Sequence, residues 1–200
     1  MKVAIYLYEQ AEVMDFAGPF EVFSTASRML SQLRTEQALE VFLVSERVEP
    51  IAARNGFLVT PHHDFASAPD IDVLIVPGGV HQYQMKQQST LQWIQQVAPN
   101  CRIIASVCTG AFLLAAAGLL DKLTVTTHWQ DCSDLQQQFP ALKVVDGPRW
   151  VEQGNIITSA GIAAGIDMSF HLLTRLVNPS LAQVTAKQMD YPWAADDGSD

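Results

Sequence analysis

The stretch IIASVCTGAFLLAAAGLL, residues 103–120, carries no charge and is about 18 residues long, the lower edge of a membrane span. Its character changes part-way. It opens on β-branched residues, breaks at Cys108-Thr109-Gly110, and resumes as an Ala/Leu helix that Gly118 is placed to end. A buried strand followed by a buried helix accounts for that switch, whereas a continuous membrane helix does not. No membrane segment is assigned.

The same kind of strand recurs along the chain. Val3–Leu7, Val41–Val44 and Val73–Val76 are short apolar runs rich in Val and Ile, like Ile103–Val107. Such runs mark strands covered on both faces, as in a parallel sheet between two layers of helices. Amphipathic segments separate them. One is opened by Gly18-Pro19, with Pro19 at the first helical position, and runs to Leu33; another spans about Ser89 to Val97. Arg54-Asn55-Gly56, between IAA and FLV, predicts a small two-strand excursion around an Asn-Gly turn.

After Thr124 the pattern predicts a polar helix around Asp131–Phe139, then the short runs KVV, RWVE and NIITS, with Gly154-Asn155 turning between the last two. Ile162, Ile166, Phe170, Leu173 and Leu176 space as one helix face, stopped by Asn178-Pro179, and a last helix covers Ser180–Met189. The tail 194–200 has no apolar anchor and reads as disordered. The fold expected is α/β: one open sandwich with a mostly parallel sheet, residues 1–193 forming a single domain.

Composition narrows the function. The 200 residues hold 12 Lys+Arg against 21 Asp+Glu, a net charge of −9, with 48% hydrophobic and 16% charged residues. Such a chain is too apolar for a disordered protein and too acidic for direct nucleic-acid binding, which rests on cations neutralising phosphates. The three cysteines, Cys101, Cys108 and Cys132, form no CxxC motif and cannot all pair. With no secretory leader evident, an odd cysteine count implies a reducing, cytoplasmic setting.

Cys108 stands at the strand-to-helix turn, the place where open α/β folds present side chains above the carboxyl edge of the sheet. A thiol at such an elbow is a candidate nucleophile, and helix N-terminal amides would lower its pKa unless a nearby ionised carboxylate pushes it back up. The competing reading is a buried, inert cysteine. Pro77-Gly78-Gly79 follows the strand Val73–Val76, and glycines there free backbone N–H groups; those of Gly79 and Thr109 could form an oxyanion hole. Asp15, in EVMDFAGPFEVF, lies in the loop between the first strand and the first helix and could carry protons for the thiol, or simply cap the helix ahead of Pro19. Glu21, one turn further on, is the other carboxylate that could lie nearest the thiol.

The histidines divide. His62-His63-Asp64 resembles a metal cluster, but neighbours on an extended segment point opposite ways, and no HExxH or Cys/His grid supports a metal. His171 reads as a local partner of Asp167, one helical turn away. His128, in TVTTHW, could polarise a group near the thiol or could be a packed histidine beside Trp129. Cys101 and Cys132 read as structural.

Taken in order, MDFAGPFEVF, VPGG, SVCTGAFLLAAAGLLD, TTHW and NIITSAGIAAGID resemble the ThiJ/PfpI superfamily over about Val3 to Tyr191. The resemblance implies a class I glutamine-amidotransferase-like, flavodoxin-like sandwich, usually a homodimer, with an elbow cysteine matching Cys108 and an acidic partner matching Asp15. Thr109 stands where the protease-like branch has His, which argues against a peptidase. Asp15, Cys-Thr-Gly and SAGIAAGID look most like isonitrile hydratases and the N-terminal sensor domains of AraC-type regulators. Regulators of that type continue into a helix-turn-helix domain for which the 200 residues leave no room, so the expectation leans to the enzyme. The resemblance then implies that Cys108 adds to an isonitrile carbon while Asp15 protonates it. Water, deprotonated by the resulting carboxylate, releases an N-substituted formamide, with Thr109 hydrogen-bonding substrate or water and with no metal or organic cofactor. Gly78, Gly79, Glu21 and His128 are the candidate substrate-binding or oxyanion residues. A non-catalytic ligand or redox sensor, and a glyoxalase- or amidase-like hydrolase using the same thiol, remain as alternatives; each takes a small molecule.

Overall fold

The computed structural model describes residues 1–33 and 37–193. The tail 194–200, expected to be disordered, lies outside the described residues. In chain order the strands and helices are β1 (Lys2–Tyr6), α1 (Val13–Gln32), β2 (Glu40–Ser45), β3 (Ile51–Ala52), β4 (Leu58–Val59), β5 (His63–Asp64), β6 (Val73–Val76), α2 (Gln88–Val97), β7 (Ile103–Val107), α3 (Gly110–Ala116), β8 (Thr124–Val125), α4 (Cys132–Gln138), β9 (Lys143–Val144), β10 (Trp150–Gln153), β11 (Ile156–Ser159), α5 (Ala164–Leu176) and α6 (Pro179–Gln188).

Seven strands form one sheet in the order β10-β11-β7-β6-β1-β2-β5. Every pairing in it is parallel except β10 with β11, which close a hairpin at Gly154-Asn155. Each residue of β6 and β7 is buried, so both faces of the sheet's centre are covered. Helices α1, α5 and α6 pack with one another, as do α2 and α3. This is the mostly parallel sandwich that the apolar runs predict, and the flavodoxin-like fold that the resemblance implies. The small ladders β3-β4 and β8-β9 lie outside the main sheet. The first is the excursion around Arg54-Asn55-Gly56, with Asn55 and Gly56 both at positive φ.

Three local expectations need correction. Helix α1 begins at Val13, six residues before Pro19, which sits inside it. Proline removes the N–H that would bond the carbonyl of Asp15. Tertiary packing holds the first turns helical all the same, since Phe16 and Asp15 are both buried. Asp15 is therefore on the first turn of a helix rather than in a loop. Helix α5 begins only at Ala164, which leaves Ile162 off the helix face and 38% exposed. His171 does not pair with Asp167. Its Nε2 lies 2.7 Å from Oε2 of Glu152 on β10, while Asp167 bonds Arg149 and the Tyr191 hydroxyl.

Candidate functional site

Cys108 follows the last residue of β7 and precedes α3 by two residues, and its φ is 55°. A non-glycine residue at positive φ is strained, and surrounding bonds must hold it there. Here the Cys108 N–H donates to Ser159 O at 3.1 Å, and its carbonyl accepts from Thr127 Oγ1 at 2.7 Å. The elbow is thus clamped by the neighbouring strand β11 on one side and the TTHW segment on the other. Cys108 is buried, at 7% exposure.

Asp15 reaches this thiol from α1 and is fully buried. Its Oδ2 accepts the Gly78 N–H at 3.0 Å. Its Oδ1 is sealed from solvent and makes no hydrogen bond, while the Cys108 thiol stands near enough to act on the carboxyl. Burial raises the Asp15 pKa to about 7; the nearby charge of Glu12 adds to the rise, and the Gly78 N–H and the thiol oppose it. The thiol moves further. Burial and then the Asp15 charge push Cys108 well above the ordinary thiol range, and the backbone N–H of Thr109 only partly offsets them. The helix amides therefore do not lower this pKa: burial, and then the carboxylate that the expectation made its exception, outweigh them. At neutral pH the pair shares at most one negative charge, carried mainly by Asp15.

Gly78 is packed against both partners. A Cβ there would stand 2.6 Å from Thr109 N, 2.7 Å from Thr109 Oγ1 and 2.8 Å from Asp15 Oδ2. Only glycine lets the loop after β6 touch both the acid and the elbow. The next residue corrects a second expectation. The Gly79 N–H donates to Thr109 Oγ1 at 2.9 Å, and that hydroxyl donates to Gly79 O at 3.1 Å. The N–H groups of both glycines are therefore engaged by site residues, and Gly79 does not offer an open oxyanion donor. Glu21 is not near the thiol either. It lies on the exposed face of α1, bonded to Thr25 and Arg28, so Asp15 is the carboxylate beside the sulfur.

A cleft of about 460 Å³ opens over Cys108 and Thr109. His128 lines it, with Nδ1 3.2 Å from Oδ2 of Asp131. Glu12, Arg54 and His81 also line it and carry no signal in the local sequence. Glu12 and Arg54 form a 3.5 Å ion pair, brought together because residues 10–12 bond both the Gly78-Gly79 loop and the β3-β4 excursion. His62 and His63 lie elsewhere: His62 Nδ1 accepts the Leu43 N–H, and His63 packs edge-on against Phe42. Among the described residues no group of three His, Cys, Asp or Glu is set to hold a metal, and no helix is long and apolar enough to cross a membrane.

This arrangement has relatives. Over 192 residues the chain is 34% identical to isonitrile hydratase of Pseudomonas putida, a match covering 96% of this chain and 78% of the relative. It is 29% identical over 177 residues to the HTH-type transcriptional regulator GbdR of Pseudomonas aeruginosa, spanning 86% of this chain but only 48% of the regulator. A ThiJ/PfpI family protein from Pseudomonas syringae, known as a crystal structure, aligns with a TM-score of 0.83 at 26% identity, covering 100% of this chain and 78% of that one. The family model for DJ-1/PfpI matches residues 1–175, and the chain belongs to the DJ-1/PfpI family.

Proposed function

We propose that the protein is a cysteine-dependent enzyme that adds water to an isonitrile and releases an N-substituted formamide. One observation carries this reading: a fully buried carboxyl whose pKa is raised to about 7 stands beside the elbow thiol. Such a group can both take and give a proton near neutrality. The kinship with isonitrile hydratase supports the choice of substrate class.

In the ionised pair Asp15 holds the charge and Cys108 its proton. As sulfur attacks the terminal isonitrile carbon, the thiol proton passes to Asp15, so no free thiolate has to accumulate. The carbon gains a lone pair on attack, and Asp15 delivers the proton to it. The product is a thioimidate, Cys108–S–CH=N–R, with Asp15 again a carboxylate. Water adds to that carbon, and collapse of the adduct breaks the C–S bond and frees the formamide. Thr109 supports the elbow through its paired bonds to Gly79 and borders the cleft, where substrate or water can meet it.

The regulator kinship favours a second reading, a ligand sensor that binds a small molecule in the same cleft without turning it over. Formamide production from small isonitriles by wild type, Asp15→Asn and Cys108→Ala separates the two. The enzyme reading expects turnover in wild type, a loss of at least about 10²-fold in Asp15→Asn and none in Cys108→Ala. Wild type that makes no formamide, yet binds a small molecule equally well with Asp15 or Asn, would establish the sensor. The proposed assembly is a homodimer, and light scattering that returns the mass of one chain at micromolar concentration would overturn it.

A further inference from the structure

His81 lies two residues beyond Gly79 and lines the cleft that holds Cys108. Its ring lies tilted against Phe112, with centroids 4.3 Å apart, and the residue is only 4% exposed. Nδ1 is 3.3 Å from the carbonyl oxygen of Gly79. A carbonyl can only accept, so Nδ1 is the nitrogen that carries hydrogen. Burial lowers the imidazole pKa, against the opposing pull of the Gly79 carbonyl and the Asp131 charge, and so favours the neutral ring. Asp131 borders the same cleft, where it pairs with His128, and so His81 faces across that space. A neutral ring with hydrogen on Nδ1 leaves a lone pair on Nε2. No group among the described residues donates to that nitrogen; its hydrogen-bonding contact is the one at Nδ1. Nε2 is not among the sealed polar atoms left without a partner, so it opens on the cleft, where the donor at hand is water.

We propose that Nε2 of His81 seats the water that resolves the Cys108 adduct and accepts its proton. This deepens the hydratase reading and rests on it. In the thioimidate, the water oxygen bonds to the carbon and the C=N π pair moves onto nitrogen. The water proton passes to Nε2, which hands it to that nitrogen, leaving R–NH–CH(OH)–S–Cys108 and a neutral His81. The Asp15 carboxylate then takes the hydroxyl proton as the C=O bond forms and the C–S bond breaks, and returns it to the departing sulfur. Asp15 thus serves the thiol at both ends of the cycle, while a separate base serves the water. His128 is the rival, since it too borders the cleft, but it is turned to Asp131 through Nδ1.

The test follows adduct and product separately, by intact-mass spectrometry and formamide release, after mixing with excess of a small aliphatic isonitrile. His81→Asn keeps an amide donor for the Gly79 carbonyl and removes Nε2. The expected result is a normal burst of adduct whose decay, with formamide release, slows by about 10²-fold, the usual weight of a general base, so that the adduct accumulates. His81→Gln, with an amide oxygen near the Nε2 position, should recover part of the loss, and His128→Asn should not reproduce the accumulation. Adduct that decays at the wild-type rate in His81→Asn, or burst and turnover that fall together, overturns the proposal. Wild type that forms neither adduct nor formamide defeats the hydratase reading itself, and this inference with it.

Discussion

Gly161 stands against the Cys108 sulfur: a Cβ built on it would lie 2.9 Å from Sγ and 2.5 Å from Cδ2 of His128. The absent side chain is what lets the thiol and the imidazole share one side of the cleft. Gly161 is not at positive φ, so alanine meets no backbone strain there and acts through contact alone. The His128 ring is tied to Asp131 and cannot swing away freely. Gly161→Ala should therefore cut formamide turnover at least about tenfold, a displacement of the reacting groups by a fraction of an ångström being costly. Thermal unfolding should change little by comparison. A variant with wild-type turnover would show that this contact does not govern the site.

Burial of Asp15 sets a pH-dependent cost on folding. The folded carboxyl keeps its proton up to about 7, whereas an ordinary one loses it near 3.8. Below the lower value both states are protonated and no cost exists. As pH rises through this window the unfolded chain ionises first, so stability falls, by roughly 4 kcal/mol once the pH exceeds 7. Asp15→Asn removes that ionisation and leaves an amide oxygen for the Gly78 N–H. Its melting temperature should rise relative to wild type, and by clearly more at pH 8 than at pH 4. An equal shift at both pH values would contradict the raised pKa.

The same substitution should pull thiol chemistry and turnover in opposite directions. Removing the Asp15 charge takes away the second-largest influence that raises the Cys108 pKa. Alkylation of Cys108 in Asp15→Asn should then reach its midpoint at lower pH than in wild type. Formamide turnover should fall in that variant, because no group takes the thiol proton and returns it to carbon. In wild type, turnover should climb as pH passes through about 7, where Asp15 becomes the carboxylate that accepts the proton. Stopped alkylation at a series of pH values, with the substrate assay alongside, measures both.

The centre of the fold was legible because it is written locally. VLIV and IIASV have only apolar faces, and the change at Cys108-Thr109-Gly110 marks the elbow within three residues. What escaped depends on distant partners. Pro19 reads as a helix start by local preference, yet packing around Phe16 carries α1 past it. His171 has an acid one turn away in sequence, but its partner Glu152 arrives from β10. Glu12, Arg54 and His81 carry no chemical signal where they stand in the sequence, and they line the cleft over Cys108 through the crossing of residues 10–12 with the Gly78-Gly79 loop. The direction of the thiol pKa is open in the sequence, which shows the helix amides and a candidate carboxylate but not how deeply the sulfur is buried, and burial is the largest influence.

Thr109 joins the elbow to the loop after β6 by two bonds, accepting from Gly79 N–H at 2.9 Å and donating to Gly79 O at 3.1 Å. Thr109→Val keeps the shape and deletes both. The Gly79 N–H is then stranded in a partly buried place, at a cost of about 1–3 kcal/mol. The damage extends beyond stability, because Gly78, the preceding residue, holds Asp15 through its own N–H. A loop free to shift loosens that bond and, with it, the acid's position beside the sulfur. Thr109→Val should lower the melting temperature by several degrees and reduce turnover together with it. Thr109→Ser retains the hydroxyl and should recover most of both, since the lost methyl group takes no part in the clasp. If serine fails to restore turnover while restoring the melting temperature, the methyl group is shaping the cleft; if valine matches wild type in both, the clasp has no role in holding Asp15.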